Sequence, residues 1–345
     1  MRARNYLASL TAIAALGFFT ASAHADTHTY RDEVTTKTLD LKYASEISAM
    51  AATTGTYYKV DTDAQGRITR TVEVRDGKDG LTRQYHFAGD AKLPSSFDDS
   101  GENVRQAGTT QIHRNAAGVI QRTDRARANG DAAGYTTYED KGDHVEATTV
   151  NAAGKQTDHR DYYFSAAGNC VRRVVHFPNA DLDSTLDETT GRAITTKQID
   201  TRSGQSLMQK FVYDPDGDIT RIDVYNDEGR LFAGQEYVDG EVARRFYNYG
   251  DGTSRDIRYT YDDKKVLTAS KIYYNGKFIC SLSYDRDSEG SVKRTLAFGP
   301  DGELWAEYPA PEVTDVQDSG QPINRDDGVI HREGPWWGIS AKRVE

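Results

Sequence analysis

The sequence predicts an all-β chain, an antiparallel meander of repeated strand-and-turn units, and three observations lead there. Acidic turns ending in glycine recur with a period of about a dozen residues, at 204, 217, 229, 240, 252, 276, 290 and 302. Apolar residues fall at fixed even offsets from those glycines, as one face of a strand requires. Finally, 21 Tyr and 11 Phe accompany a hydrophobic content of only 37 %. Such a core is thin and relies on large rings with polar tips.

Taken in chain order, the first segment stands apart. Arg2 and Arg4 precede the apolar stretch LASLTAIAALGFF, and Ala23-His24-Ala25 has the small-x-small pattern of a cleavage site. Residues 1–25 read as a signal peptide cut after Ala25, which places the product in the periplasm or outside the cell. No Cys follows the site, which disfavours a lipid anchor, and no later stretch is long and apolar enough to span a membrane. Residues 26–55 form a lead-in, within which YASEISAMAA (43–52) is expected to be a short helix. Residues 56–310 carry the repeats, with 90–108 and 178–192 expected as loops or insertions. Residues 311–345 are a linker and a tail bearing Trp336 and Trp337.

Within the repeats, Gly66, Gly118, Gly168, Gly217, Gly229, Gly240, Gly276, Gly290 and Gly302 mark the turns. Two residues after them stand Ile68, Ile120, Cys170, Ile219, Leu231, Val242, Phe278, Val292 and Leu304; four before, Phe164, Tyr213, Tyr225 and Phe298; six after, Val72, Val174, Phe246, Leu282, Leu296 and Tyr308. Even offsets place all of these on one buried face. Asp214-Pro215-Asp216-Gly217 supplies the turn chemistry, with Pro pre-set for the first turn position and Gly for the positive φ. Each unit buries too little to stand alone, so stacking them builds a broad platform.

Phe211-Val212-Tyr213-Asp214-Pro215-Asp216-Gly217-Asp218-Ile219-Thr220 resembles the YD repeat of RHS-like proteins, and degraded copies run through roughly residues 56–308. Exported repeat proteins of the MORN-variant type are a competing label. The RHS resemblance implies a long antiparallel sheet curled into a spiral and a setting in the bacterial envelope. Large relatives enclose or display a C-terminal toxin, for which this chain is too short, and no catalytic residue carries over.

Searches for chemistry return little. No HExxH, G-x-S-x-G, P-loop or CxxC occurs. Asp285, Asp287 and Glu289 before Gly290 copy the first half of a calcium loop, but Leu296 stands where the bidentate Glu belongs, so solvated acidic turns are the plainer reading. His144 and His176 count onto one face and His159 onto the other, which leaves a shared metal site strained and ordinary sheet histidines favoured. Cys170 and Cys280 either form a disulfide, if the sheet curls enough, or are two buried thiols. Tyr237, Tyr247 and Tyr259 fall at odd offsets and are expected on an outer, binding face, with Trp336 and Trp337 covering the last strand edge or serving as a docking peptide.

The net charge is −10, and removing Arg2 and Arg4 leaves 41 basic against 53 acidic residues, or −12. That disfavours nucleic acid and anionic membranes. The sequence therefore points to an exported, non-enzymatic binding protein of the bacterial envelope, needing no cofactor. Its expected partner is a protein, a basic toxin included. An envelope glycan is the alternative, and an enzyme with an unrecognised acidic site the second alternative.

Overall fold

The computed structural model describes residues 26–48, 56–75, 77–101, 107–287 and 290–309. The predicted signal peptide, Glu289, Trp336 and Trp337 lie outside the described residues. Strands β1 (Asp26–Thr35) and β2 (Leu41–Glu46) form an N-terminal hairpin. They are followed by β3 (Thr56–Thr62), β4 (Ile68–Arg75), β5 (Lys78–His86), β6 (Ser96–Ser100), β7 (Gly108–Arg114), β8 (Ile120–Arg127) and β9 (Ala132–Asp140). Next come β10 (Val145–Asn151), β11 (Gln156–Phe164), β12 (Cys170–Phe177), β13 (Ala180–Leu186), β14 (Ala193–Asp200), β15 (Ser206–Tyr213) and β16 (Ile219–Tyr225). The last are β17 (Leu231–Val238), β18 (Glu241–Asn248), β19 (Ser254–Tyr261), β20 (Leu267–Tyr274), β21 (Lys277–Arg286), β22 (Val292–Phe298) and β23 (Leu304–Pro309).

All belong to one 23-stranded antiparallel sheet. Its order is β2-β1-β3 and then sequential to β23, and it does not close into a barrel. The expected helix at 43–52 is a strand as far as Glu46. There Tyr43 and Ala44 pair with Glu33 and Asp32, and cross-strand partners override a weak local helical signal. The two expected insertions each contain a strand, β6 and β13, because their polar residues pair edge to edge with both neighbours.

A recurrent turn grammar builds much of the sheet. The residue three before the turn glycine accepts backbone N–H bonds through its side chain, as Asn115 does from Ala117 and Val119, and Asp214 from Asp218. The residue four before pairs with the residue two after, as in Tyr213↔Ile219 and Phe164↔Cys170. The next residue is a β-bulge, which shifts the register. Side chains at the position four before then tie consecutive hairpins of one edge together. Tyr213 and Tyr261 donate their hydroxyls to the carbonyls of Ala193 and Val242 at 2.8 and 3.0 Å. Arg286 donates its guanidinium to the Leu267 carbonyl at 3.1 Å.

The bulge corrects the single-face expectation. Ala233, Val224 and Phe211 lie on the inner face, where most buried side chains sit, together with Ile120 and Cys170. Val174 and Phe246, six after their glycines, lie on the outer face, because the extra residue reverses the alternation. The position two after the glycine also alternates. It points inward at turns leading from odd to even strands, the near edge, as for Ile219 and Val292. At the far edge, where even strands lead to odd ones, Leu231, Phe278 and Leu304 point outward. A turn of fixed hand, carried to the opposite edge of a meander that keeps advancing, is rotated about an in-plane axis, and that rotation exchanges the faces.

The sheet curls until the N-terminal hairpin meets the near edge of later strands. Twelve strand positions separate β1 from β14, on the order of 60 Å in a flat sheet. Nevertheless Asp32 accepts two bonds from Arg192, the second at 3.0 Å. The hairpin tip continues this contact. Arg114 forks onto Asp40 at 2.6 and 2.9 Å, Thr36 bridges to Asn169, and the Lys37 N–H donates to the Gly168 carbonyl at 2.6 Å. Two glycines make the fit possible. A Cβ on Gly191 (φ 72°) would sit 2.5 Å from the Glu33 carbonyl oxygen, and one on Gly217 (φ 90°) would overlap the Arg192 guanidinium. The opposite side of the hairpin packs on the inner face of β3–β5 around a cavity of about 130 Å³ lined by Glu33, Tyr43, Tyr58 and Arg83. Burial there pushes the Tyr43 hydroxyl pKa well above its ordinary value. The N-terminal hairpin is therefore a plug seated within the curl.

Candidate functional site

The plug meets the near-edge turns between β7 and β16, and among the described residues the far edge is left open. The far-edge hairpins present large apolar side chains: Phe177 on β12, Leu207 on β15, Phe232 on β17, Ile279 on β21 and Trp305 on β23, all exposed. Phe232, Ile279 and Trp305 occupy the same bulge position, three after the glycine. At the near edge that position is often Thr, whose hydroxyl returns to the backbone, as Thr220 does to Val212 O (3.2 Å) and Thr268 to Thr260 O (3.0 Å). The bulge turns its side chain away from the ladder at both edges; what differs is whether that side chain satisfies itself. Ile194, Val212 and Val238 are exposed near the plugged edge.

The outer face is laced rather than uniformly acidic. Arg244 bridges Glu236 (3.1 Å) and Asp256 (2.5 Å), Arg294 bridges Asp285 (2.8 Å) and Glu307 (3.2 Å), and Arg172 meets Asp183 (2.8 Å). Many remaining carboxylates cap turns. Hydrogen bonds from the Thr190 N–H and hydroxyl hold the Asp187 carboxyl below the usual range, against the opposing effect of burial.

Across β10–β13 the outer face gathers three histidines. His176 hydrogen-bonds through Nε2 to the Asp161 carboxylate (3.0 Å) and through Nδ1 to that of Asp181 (2.9 Å), and its ring lies 4.5 Å from that of His159. His159 reaches Glu146 at 3.1 Å, while His144 stacks on Tyr163 and approaches Asp161 at 3.9 Å. Burial opposes charging His176, and the bonds to Asp161 and Asp181 overcome it, so its pKa lies above the ordinary value. The expected split of His159 from His176 is thus overturned. Each histidine follows one bulge, at Thr157 and Val171, but His159 follows a far-edge turn and His176 a near-edge turn. Because the two edges start on opposite faces, the odd and even offsets meet on the outer face.

The other predicted site residues fall as follows. Tyr237, Tyr247 and Tyr259 are half-buried on the inner face, paired with Val242, Ala233 and Ser270, so the expected outer placement is corrected. A bulge reverses the alternation before Tyr237 and Tyr247, and the far-edge turn at Gly252, which has no bulge, starts β19 on the outer face and so sets Tyr259 inward. Tyr237 donates to Gln235 at 2.9 Å, and Arg245 lies over the Tyr259 ring. Cys170 and Cys280 are free thiols on β12 and β21, nine strands apart, so the candidate disulfide is not formed. Asp285 is engaged by Arg294, and Asp287 accepts the Ser291 N–H at 2.9 Å. The two calcium candidates among the described residues are thus committed to the sheet and its turn.

No protein-family model and no curated relative matches the chain. Among solved structures it is similar to a chain in a TcdB2–TccC3–Cdc42 crystal structure, with a TM-score of 0.29 and 13 % identity, over 74 % of this chain and 17 % of that one. It is likewise similar to a chain of the Photorhabdus luminescens Tc holotoxin pore, with a TM-score of 0.29 and 13 % identity, over 72 % of this chain and 18 % of that one. The chain spans less than a fifth of the length of either, and at this TM-score neither match carries an argument about its role.

Proposed function

We propose that this chain is an exported, non-enzymatic β-repeat protein of the bacterial envelope, of the YD kind, that docks a protein partner along its far edge. The observation that carries this reading is the exposed apolar residue set at the same bulge position in Phe232, Ile279 and Trp305, on the edge the plug leaves open. Recurrent exposed apolar side chains at an unpartnered edge are the usual mark of an interaction surface. The Asp-capped turns and the tyrosines that join consecutive hairpins support the YD label. The net charge of −12 after removal of residues 1–25 suits a basic partner, a toxin among them.

The test is capture from envelope extract on the immobilised protein beside its Phe232→Ser/Ile279→Ser/Trp305→Ser variant. A protein retained by the first and lost by the second supports the proposal. Retention of the same protein by both would refute rim docking. Retention of polysaccharide alone would move the reading to an envelope glycan, for which exposed rings such as Tyr274 and Trp305 are suited.

A further inference from the structure

We infer that the outer face of β11 and β12 holds a binding site for one divalent first-row transition metal, Zn²⁺ foremost, with His159, Asp161 and His176 as ligands. One donor atom from each of the three lies within 4.8 Å of the others. The register builds this arrangement. His159 and Asp161 stand two apart on β11 and so share a face, and the pairing Arg160↔Val175 sets His176 opposite His159. Two imidazoles and one carboxylate are a donor set that Zn²⁺ accepts at about 2.0–2.2 Å. The same three-donor set also suits other divalent metals of the row.

Support from the surrounding groups makes this more than a chance cluster. Asp181, opposite His176 on β13, holds its Nδ1 at 2.9 Å and leaves Nε2 directed at Asp161, the carboxylate–histidine–metal arrangement that fixes a ligand's tautomer. Glu146, 3.1 Å from His159, is placed to be a fourth ligand or to orient that ring. The cost of Lys141, 3.1 Å from Glu146, is a nearby positive charge, which its partner Glu139 at 2.8 Å offsets. At present the His176–Asp161 contact is a hydrogen bond, so metal binding exchanges that bond for two coordinate bonds and competes with protons for both histidines.

The experiment is Zn²⁺ titration of the purified protein by calorimetry, with His159→Ala, His176→Ala, Asp181→Asn and the remote control His113→Ala. The expected result is one equivalent bound. Affinity is abolished by either ligand substitution, weakened about 10–100-fold by Asp181→Asn, and unchanged by His113→Ala. X-ray absorption of the Zn²⁺-loaded wild type needs no variant to fold, and should show two imidazoles in the first shell. Absence of binding, binding that survives loss of both His159 and His176, or a first shell without imidazole would each overturn the inference.

Discussion

Replacing Arg192 by Met tests the plug most severely. The Asp32 side chain is 3 % exposed and its bonded cation is Arg192, so the substitution leaves a buried carboxylate uncompensated. Breaking a buried pair from one side costs about 3–5 kcal/mol. The reverse change, Asp32→Asn, is milder. Arg192 is 20 % exposed and lies 5.5 Å from the centre of the Tyr213 ring, so it keeps water and an aromatic face, and about 1–3 kcal/mol is expected. Long repeat arrays do not melt as one unit, so the readout should be local. The Lys37 N–H bonds Gly168, and the Ile120 N–H bonds Thr38, across the docking surface. Hydrogen exchange at these two amides reports opening of the plug. At 1.4 kcal/mol per tenfold, Arg192→Met should lower their protection by on the order of 10²–10³-fold while β18–β19 amides hold. The Asp32→Leu/Arg192→Met pair should lose less than Arg192→Met alone, since no charge is stranded. Less than a tenfold loss in Arg192→Met, or a double variant worse than the single, would refute the reasoning.

Three further outcomes follow from the same geometry. Gly217→Ala and Gly229→Ala both force a left-handed residue at about 1 kcal/mol, but only the first collides with Arg192, so only it should release the hairpin amides in hydrogen exchange. Tyr213→Phe and Tyr261→Phe each remove one inter-hairpin bond, for about 1 kcal/mol apiece by denaturant unfolding of the affected region, and the two should add because they lie on different hairpins. Asp187 has a folded-state pKa below its unfolded value, so its contribution is present above the unfolded pKa and lost as pH falls through the folded one. The protection gap between wild type and Asp187→Asn at the β13–β14 turn should therefore be full at neutral pH and close on acidification.

Much of the sheet was legible because its grammar is local. Asp214 and Asn115 announce capped turns by type and spacing, and the pairing of Tyr213 with Ile219 follows from offsets that span one turn. The bulge was not legible from apolar offsets, and it decides which face every later residue takes. It misplaced Tyr237 and Tyr247, while the exchange of faces between the two edges hid the meeting of His159 with His176 and misplaced Tyr259. Asp32 and Arg192 lie 160 positions apart, and nothing in a twelve-residue period relates them; their contact is a product of sheet curvature. The exposed rim was visible only as Phe232, Ile279 and Trp305 at a common offset, a signal that acquires meaning once the bulge is known to turn that position outward.

The central claim is that the sheet curls until its N-terminal hairpin seats against the turns of distant strands. Thr36 and Asn169 are bridge partners, and opposed residues of an antiparallel pair have Cα atoms about 4.5–5.5 Å apart, within reach of a disulfide. Thr36→Cys/Asn169→Cys, oxidised mildly with Cys170 and Cys280 replaced by Ala, should form an intrachain disulfide, detected by peptide mass spectrometry. In a flat sheet ten strand spacings, about 48 Å, would separate β1 from β12, beside which these residues lie. Two freely alkylated thiols and no crosslink would contradict the account.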